Sequence, residues 1–177
     1  MRITAGKMRG RVLQVPDVRG LRPTSSRVRE AVFNILGDMH GLSFLDLFSG
    51  SGVMALEALS RGASQAQSIE ENHQACAAMR DIEQAWQVQN WTITQGTIPK
   101  VFQATSSHFD VIYADAPYQQ GFAEQLAPWL AQAGITYRTF IIEEASKTSL
   151  TWTQQPFQQR KYGESTLYFF AAKADPT

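Results

Sequence analysis

Apolar residues fall in short dense runs separated by polar loops, and the period of the runs alternates along the chain. Phe44-Leu45-Asp46-Leu47 is apolar but for one acid. It is too short for a helix and is closed by Gly50 and Gly52, which predicts a buried strand running into a tight turn. From Val53 the spacing becomes helical: Met54, Ala55, Leu56, Ala58 and Leu59 suit a packed helix stopped by Arg61-Gly62. A strand over Ala66 to Ile69 and a helix from Asn72 to Gln87 follow, the helix carrying Cys76, Met79, Ile82, Ala85 and Trp86 at helical spacing. Trp91 to Thr94 alternates as a half-buried strand, and Phe109 to Ala114 reads as a strand buried on both faces. Leu126 to Ala131 belongs to a helix, and Tyr137 to Ile142 is a fifth strand ending in Glu143-Glu144. Alternating strands and helices predict an α/β sheet. The tail departs from that rhythm: Pro156 to Lys161 and Ser165 to Ala171 flank Tyr162-Gly163-Glu164, which predicts an antiparallel hairpin.

The amino terminus is patterned differently. Met1 to Val15, with glycines at 6 and 10, suits a small β-hairpin or ribbon. Leu21 to Ser26 leads into a helix capped by Ser25 or Ser26, with Val28, Val32, Ile35 and Leu36 on its apolar face and Gly37 at its end. The expected organisation is one domain over residues 1–177, with a basic appendage and first helix (1–37) and a catalytic core (42–177).

Composition narrows the class. With 44% hydrophobic and 18% charged residues the chain reads as a globular protein, and no apolar run approaches a membrane span. No secretory h-region is visible, so the cytoplasm is the expected location. The lone Cys76 excludes an internal disulfide and a cysteine-based zinc site, and His40, His73 and His108 show no metal-ligand spacing, so no metal is expected. The net charge of zero hides an asymmetry: residues 1–30 carry eight basic residues against Asp17 and Glu30, a net +6, which leaves −6 on the rest. A basic arm on an acidic body suits a polyanion-binding protein. Arg27 and Arg29 stand near a helix start, where the dipole disfavours cations, which points to an anionic ligand.

Two loops carry candidate chemistry. A strand, glycine turn and helix start at 44–56 leaves backbone N–H groups free and lets a ligand approach the main chain. Glu70, 18 residues beyond Gly52 at the end of the next strand, is placed to take ribose hydroxyls. Gly50-x-Gly52-x-x-Ala55 also meets the dinucleotide fingerprint, so NAD and S-adenosylmethionine both remain open on these residues. Asp115-Ala116-Pro117-Tyr118 ends the fourth strand beside that turn; an acid, a rigid turn and an aromatic can together hold a flat amine-bearing ring. An amino-methyltransferase acting on DNA adenine or protein glutamine, an NAD-dependent oxidoreductase and a non-catalytic RNA-binding protein are the alternatives.

The loop from Asp46 to Gly52, Glu70 and Asp115 to Tyr118 resemble class I S-adenosylmethionine-dependent methyltransferases acting on amino groups. Arg2-Ile3, Ala5-Gly6-Lys7, Arg9-Gly10-Arg11, Pro16, Leu21-Arg22-Pro23-Thr24 and Arg27-Val28-Arg29-Glu30 narrow this to a resemblance to the RsmD family of small-subunit rRNA guanine-N2 methyltransferases. The resemblance implies a Rossmann-like, mostly parallel seven-stranded sheet with the last strand antiparallel and helices on both faces. It implies S-adenosylmethionine as cofactor and guanine 966 of 16S rRNA as target, free or in a ribosomal particle, with a monomer expected. Asp115, Ala116, Pro117 and Tyr118 would be catalytic. Asp46, Phe48, Ser49, Gly50, Gly52, Glu70, Glu71, Thr97 and Asp115 would hold the cofactor. Arg2, Lys7, Arg9, Arg11, Arg22, Thr24, Arg27 and Arg29 would meet RNA. The chain departs from the family in two places. Ala116 replaces the first proline of Asp-Pro-Pro-(Phe/Tyr), which implies a looser loop with its carbonyl acceptor intact, and Gln95-Gly96-Thr97 offers no acid for the adenine amine.

Overall fold

A computed structural model describes residues 1–14, 24–104, 108–117, 121–148, 150–152 and 154–172. In chain order the elements are α1 (Ser26–Leu36), β1 (Ser43–Leu47), α2 (Val53–Ser60), β2 (Gln65–Glu70), α3 (His73–Trp86), β3 (Trp91–Gln95), a 3₁₀ turn (Lys100–Ala104), β4 (His108–Asp115), α4 (Phe122–Gln132), β5 (Thr136–Ala145), β6 (Gln158–Tyr162) and β7 (Ser165–Ala171). His108 opens β4, where its ring hydrogen-bonds Thr136 Oγ1 at 2.8 Å.

The seven strands form one sheet in the order β3-β2-β1-β4-β5-β7-β6. The first five are parallel; β7 runs antiparallel between β5 and β6, and Gly163-Glu164 closes the β6–β7 hairpin. All five residues of β1 are buried, which is why its sequence is apolar save for Ser43 at its start and Asp46. Because β1 is flanked by β2 on one side and β4 on the other, strand order reverses there. Ligands of open α/β sheets bind above that point.

Helix ends are set by short local bonds. Ser25 Oγ accepts from the Val28 N–H at 3.2 Å, and Gly37, at φ 77°, turns its N–H onto the Phe33 carbonyl. The apolar face of α1 differs from the pattern: Phe33 is buried with Val28 and Val32, while Ile35 and Leu36 are only half-buried. One core layer packs α1, α2 and α3 on the sheet face holding Phe44, Tyr113 and Ile141. The other packs α4 and Phe102 on Leu45, Leu47 and Ile112. Each fully buried side chain of this size contributes roughly 1.5–3 kcal/mol.

The amino-terminal ribbon, joined by an antiparallel bridge between Arg2 and Val12, is bound into this first layer. Ile3, Met8 and Leu13 are core residues. The Thr4 N–H and hydroxyl donate to the two oxygens of Glu57 at 2.8 and 2.9 Å. The Lys7 N–H donates to the Ser60 carbonyl at 2.8 Å and the Met8 N–H to Ser60 Oγ at 2.9 Å. A Cβ on Gly6 would lie 1.8 Å from the Ser60 carbonyl oxygen, so this close docking requires glycine. The charge pattern suggests an appendage; the packing makes the ribbon part of the α2 surface.

Candidate active site

The carboxyl ends of β1, β2, β3 and β4 bring together the glycine loop, Glu70, Gln95 to Thr97 and Asp115 to Pro117. Glu70 braces the loop: its Oε2 accepts from the Gly50 N–H and its Oε1 from the Asn72 N–H, both at 2.8 Å. Each carboxylate oxygen has two lone pairs, so ribose hydroxyls can still donate to it. The Ser49 N–H donates to the Ile69 carbonyl at 2.9 Å and the Gly52 N–H to the Ser49 carbonyl at 2.8 Å. Gly52 is constrained from behind: at φ 73°, a Cβ there would lie 2.5 Å from the Trp91 ring and 2.7 Å from Met79 Sδ. Phe48, at φ 60°, turns its ring away to the α4 side, 5.4 Å from the Phe122 ring. Glu71 and Thr97 are exposed at the rim, where the Thr97 carbonyl accepts from the Val101 N–H.

Asp46 is the electrostatic centre of the loop. It is 1% exposed and its Oδ2 has no hydrogen-bond partner. Burial raises its pKa to about 8, with Ser49 and the Ala55 N–H pulling it down and the charge of Glu70 pushing it up. A buried carboxylate oxygen with no donor is costly unless a ligand supplies one. Two acids therefore occupy the N-terminal end of α2, where a dinucleotide would place its pyrophosphate. They fill the place of that dianion and, when ionised, oppose it. They suit S-adenosylmethionine, which brings an ammonium and a sulfonium for the acids and a diol for Glu70.

Tyr113 and Asp115 lie two residues apart on one face of β4. Asp46 pairs with Tyr113 across β1–β4, and Asp115 with Glu143 across β4–β5. Tyr113 is fully buried and donates its hydroxyl to Glu143 Oε2 at 2.5 Å. Its pKa is driven well up, first by burial and then by the charges of Glu143, Asp115 and Asp46. Four acids thus ring the crevice, of which Glu143 was visible in the sequence only as an acid ending an apolar strand. Ala116 is buried and Pro117 is exposed. Tyr118 and Arg22 lie outside the described residues.

The basic residues divide. Arg29 is not an exposed phosphate ligand: it is 3% exposed, with Nε on Glu57 Oε1 at 3.3 Å, Nη1 on the Thr24 carbonyl at 2.5 Å and Nη2 on the Arg2 carbonyl at 2.8 Å. Glu57, fully buried in a helix with no other charged residue, demands that cation and also pairs with Arg61 at 3.4 Å. Thr24 serves Arg29 through its main chain. Arg2, Lys7, Arg9, Arg11 and Arg27 are exposed. Arg27 lies over the Tyr162 ring at 6.0 Å, and Arg11 lies over Trp86 at 5.4 Å while donating to its carbonyl at 3.3 Å. Trp86 ends α3, about 20 Å along the helix from the crevice, so Arg11 is held well away from it. Among the described residues no group of side chains could hold a metal, and no helix is long and apolar enough to cross a membrane.

A family model described as conserved hypothetical protein 95 matches residues 1–171. Ribosomal RNA small subunit methyltransferase D of Escherichia coli K12 is 32% identical over 155 residues, covering 84% of this chain and 78% of that protein. The protein of the same name from Haemophilus influenzae is 35% identical over 137 residues, covering 75% and 71%. The solved structure of the Escherichia coli protein yhhF superposes with a TM-score of 0.84 at 27% identity, covering 99% of each chain. With the crevice geometry, these matches establish that the chain belongs to the conserved hypothetical protein 95 family, the family of ribosomal RNA small subunit methyltransferase D.

Proposed function

We propose that this protein transfers a methyl group from S-adenosylmethionine to the exocyclic N2 amine of a guanine in small-subunit rRNA, guanine 966 being the position that its family resemblance implies. The observation that carries the reading is Asp115 at the end of β4, one strand from a glycine loop whose buried Asp46 has an unpartnered oxygen. When bound, S-adenosylmethionine supplies a methyl group activated by a sulfonium.

The acceptor is the difficult reactant, because the lone pair of a guanine amine is delocalised into the ring. Asp115 and the Ala116 carbonyl accept its two N–H bonds, which favours a pyramidal nitrogen and aims the lone pair along the line of displacement. Positioning of both reactants accounts for much of the rate. The Asp115 carboxylate also offsets positive charge developing on the nitrogen. Asp46 takes the ammonium end of the donor and Glu70 its ribose, while Tyr118 stacks on a base turned out of its helix. No covalent nucleophile is required. The exposed basic residues of 1–30 grip phosphate, a contact tolerant of sequence and sensitive to salt.

Replacing Asp115 with Ala tests the reading. Methyl incorporation into rRNA from labelled cofactor falls at least a thousandfold, while the affinity for S-adenosylhomocysteine by calorimetry changes by less than about threefold. Undiminished turnover in Asp115→Ala contradicts it. Incorporation by the wild type into DNA or protein instead of rRNA redirects the same chemistry to another amine.

A further inference from the structure

Beyond Asp115, the crevice holds a second carboxylate that the transfer step leaves without a task. Glu143 is the strand partner of Asp115, so the two acids stand side by side and point to the same face at the carboxyl ends of adjacent parallel strands. Glu143 is 4% exposed, and its Oε2 is held by the hydroxyl of the fully buried Tyr113. A buried tyrosine that donates to a carboxylate at a strand end fixes where that carboxylate sits. Asp46, 1% exposed and the neighbour of Tyr113 across the next strand, has an oxygen without a partner, which shows independently that this face of the sheet receives donors from a ligand.

We infer that Glu143, positioned by Tyr113, accepts the N1–H of the target base and thereby selects guanine. The inference rests on the reading of the site as a guanine-N2 methyltransferase. Along its pairing edge guanine presents the N2 amine next to N1–H, two adjacent donors that match two adjacent carboxylates. Adenine presents an acceptor at N1, which a carboxylate repels, so the same pair rejects it. Where a buried polar group is left unpaired by the wrong base, discrimination is much larger than shape alone provides. The second acid thus divides the labour: Asp115 holds the amine that reacts, and Glu143 reads the atom beside it.

The test compares a small-subunit rRNA segment carrying guanine at the methylated position with one carrying 2-aminopurine there. 2-Aminopurine keeps the reacting amine and has an acceptor at N1; it also lacks the O6 of guanine, a difference common to every enzyme variant. The wild type prefers guanine by tenfold or more in kcat/KM. Glu143→Gln, isosteric and able to donate to N1, slows the guanine segment and shrinks the preference by at least about tenfold. Tyr113→Phe leaves the carboxylate less fixed and shrinks the preference by a smaller factor, with affinity for S-adenosylhomocysteine unchanged in both variants. An unaltered preference in Glu143→Gln, or an equal loss on both segments, overturns the assignment while leaving guanine methylation standing. A wild type that methylates no guanine overturns the functional reading and this inference together.

Discussion

The crevice and the amino-terminal ribbon are built on opposite ends of the same helix with opposite charge. At its amino end α2 offers N–H groups and a positive partial charge, and Asp46 and Glu70 occupy that end. At its carboxyl end α2 offers unpaired carbonyls, and the Lys7 N–H takes that of Ser60. Arg11 does the same for the last carbonyl of α3. The fold thus takes up Arg11 at the carboxyl end of α3 and Arg29 at Glu57, while the ribbon reaches α2 through the Lys7 main chain, and only the guanidinium and ammonium groups left facing water are available to a polyanion. The acidic crevice suits a cationic donor, whereas the ribbon is bound to α2 as a brace and its exposed cations are, under the proposed function, the handle for RNA.

Breaking the brace should have the largest effect. Glu57→Ala leaves Arg29 buried without its carboxylate and removes both contacts to Thr4, and such losses cost about 3–5 kcal/mol. The expected outcome is a matching shift in the urea midpoint, with cofactor affinity of the folded protein intact. A shift below about 1 kcal/mol would mean the ribbon is not bound to α2 in solution.

Removing the handle without the brace is the next step. Lys7→Gln and Arg9→Gln together spare the main-chain bonds of the ribbon and the Arg11 bond to α3. They should weaken RNA binding by roughly tenfold and lower the salt slope by about 2, with single-turnover methylation at saturating RNA retained. An unchanged slope would leave phosphate contact to other exposed cations, such as Arg27 over the Tyr162 ring.

The smallest effect sharpens the crevice side. A carboxyl whose folded pKa lies above its unfolded value favours folding less as pH rises between the two. Asp46, raised from 3.8 to about 8, therefore makes the ligand-free protein lose stability across that interval. A cationic ligand restores the ionised form. Cofactor affinity should thus rise severalfold from pH 6.5 to about 8 and then level, with a proton released on binding below that point. Calorimetry in two buffers of different ionisation enthalpy measures it. Asp46→Asn should remove the pH dependence.

Much of this was legible in the residues because burial wrote it there. β1 and β4 are central strands buried on both faces over most of their length, and β5 joins them from Phe140 to Ile142; these apolar runs leave little other reading. Ser25, Gly37 and Asn72 marked helix ends by local bonds that need no tertiary context. The role of Arg29 was not legible, because a cation reads alike whether it meets water or a buried acid. The signal was elsewhere, in Glu57 standing alone in an apolar helix. Gly52 was read as room for a ligand, yet Trp91 and Met79, distant in sequence, impose it too. Glu143 and Tyr113 became a pair only when strand register set Glu143 beside Asp115.

The central claim is that an acid at the end of β4 presents a guanine amine to a methyl donor held over the glycine loop. Mass-spectrometric mapping of labelled methyl groups on rRNA, after incubating the wild-type protein with small ribosomal particles, tests it most directly. The account predicts one new N2-methylguanine at a single position and none with Asp115→Ala. Label on an adenine, on a ring nitrogen or ribose, or only on protein would contradict it.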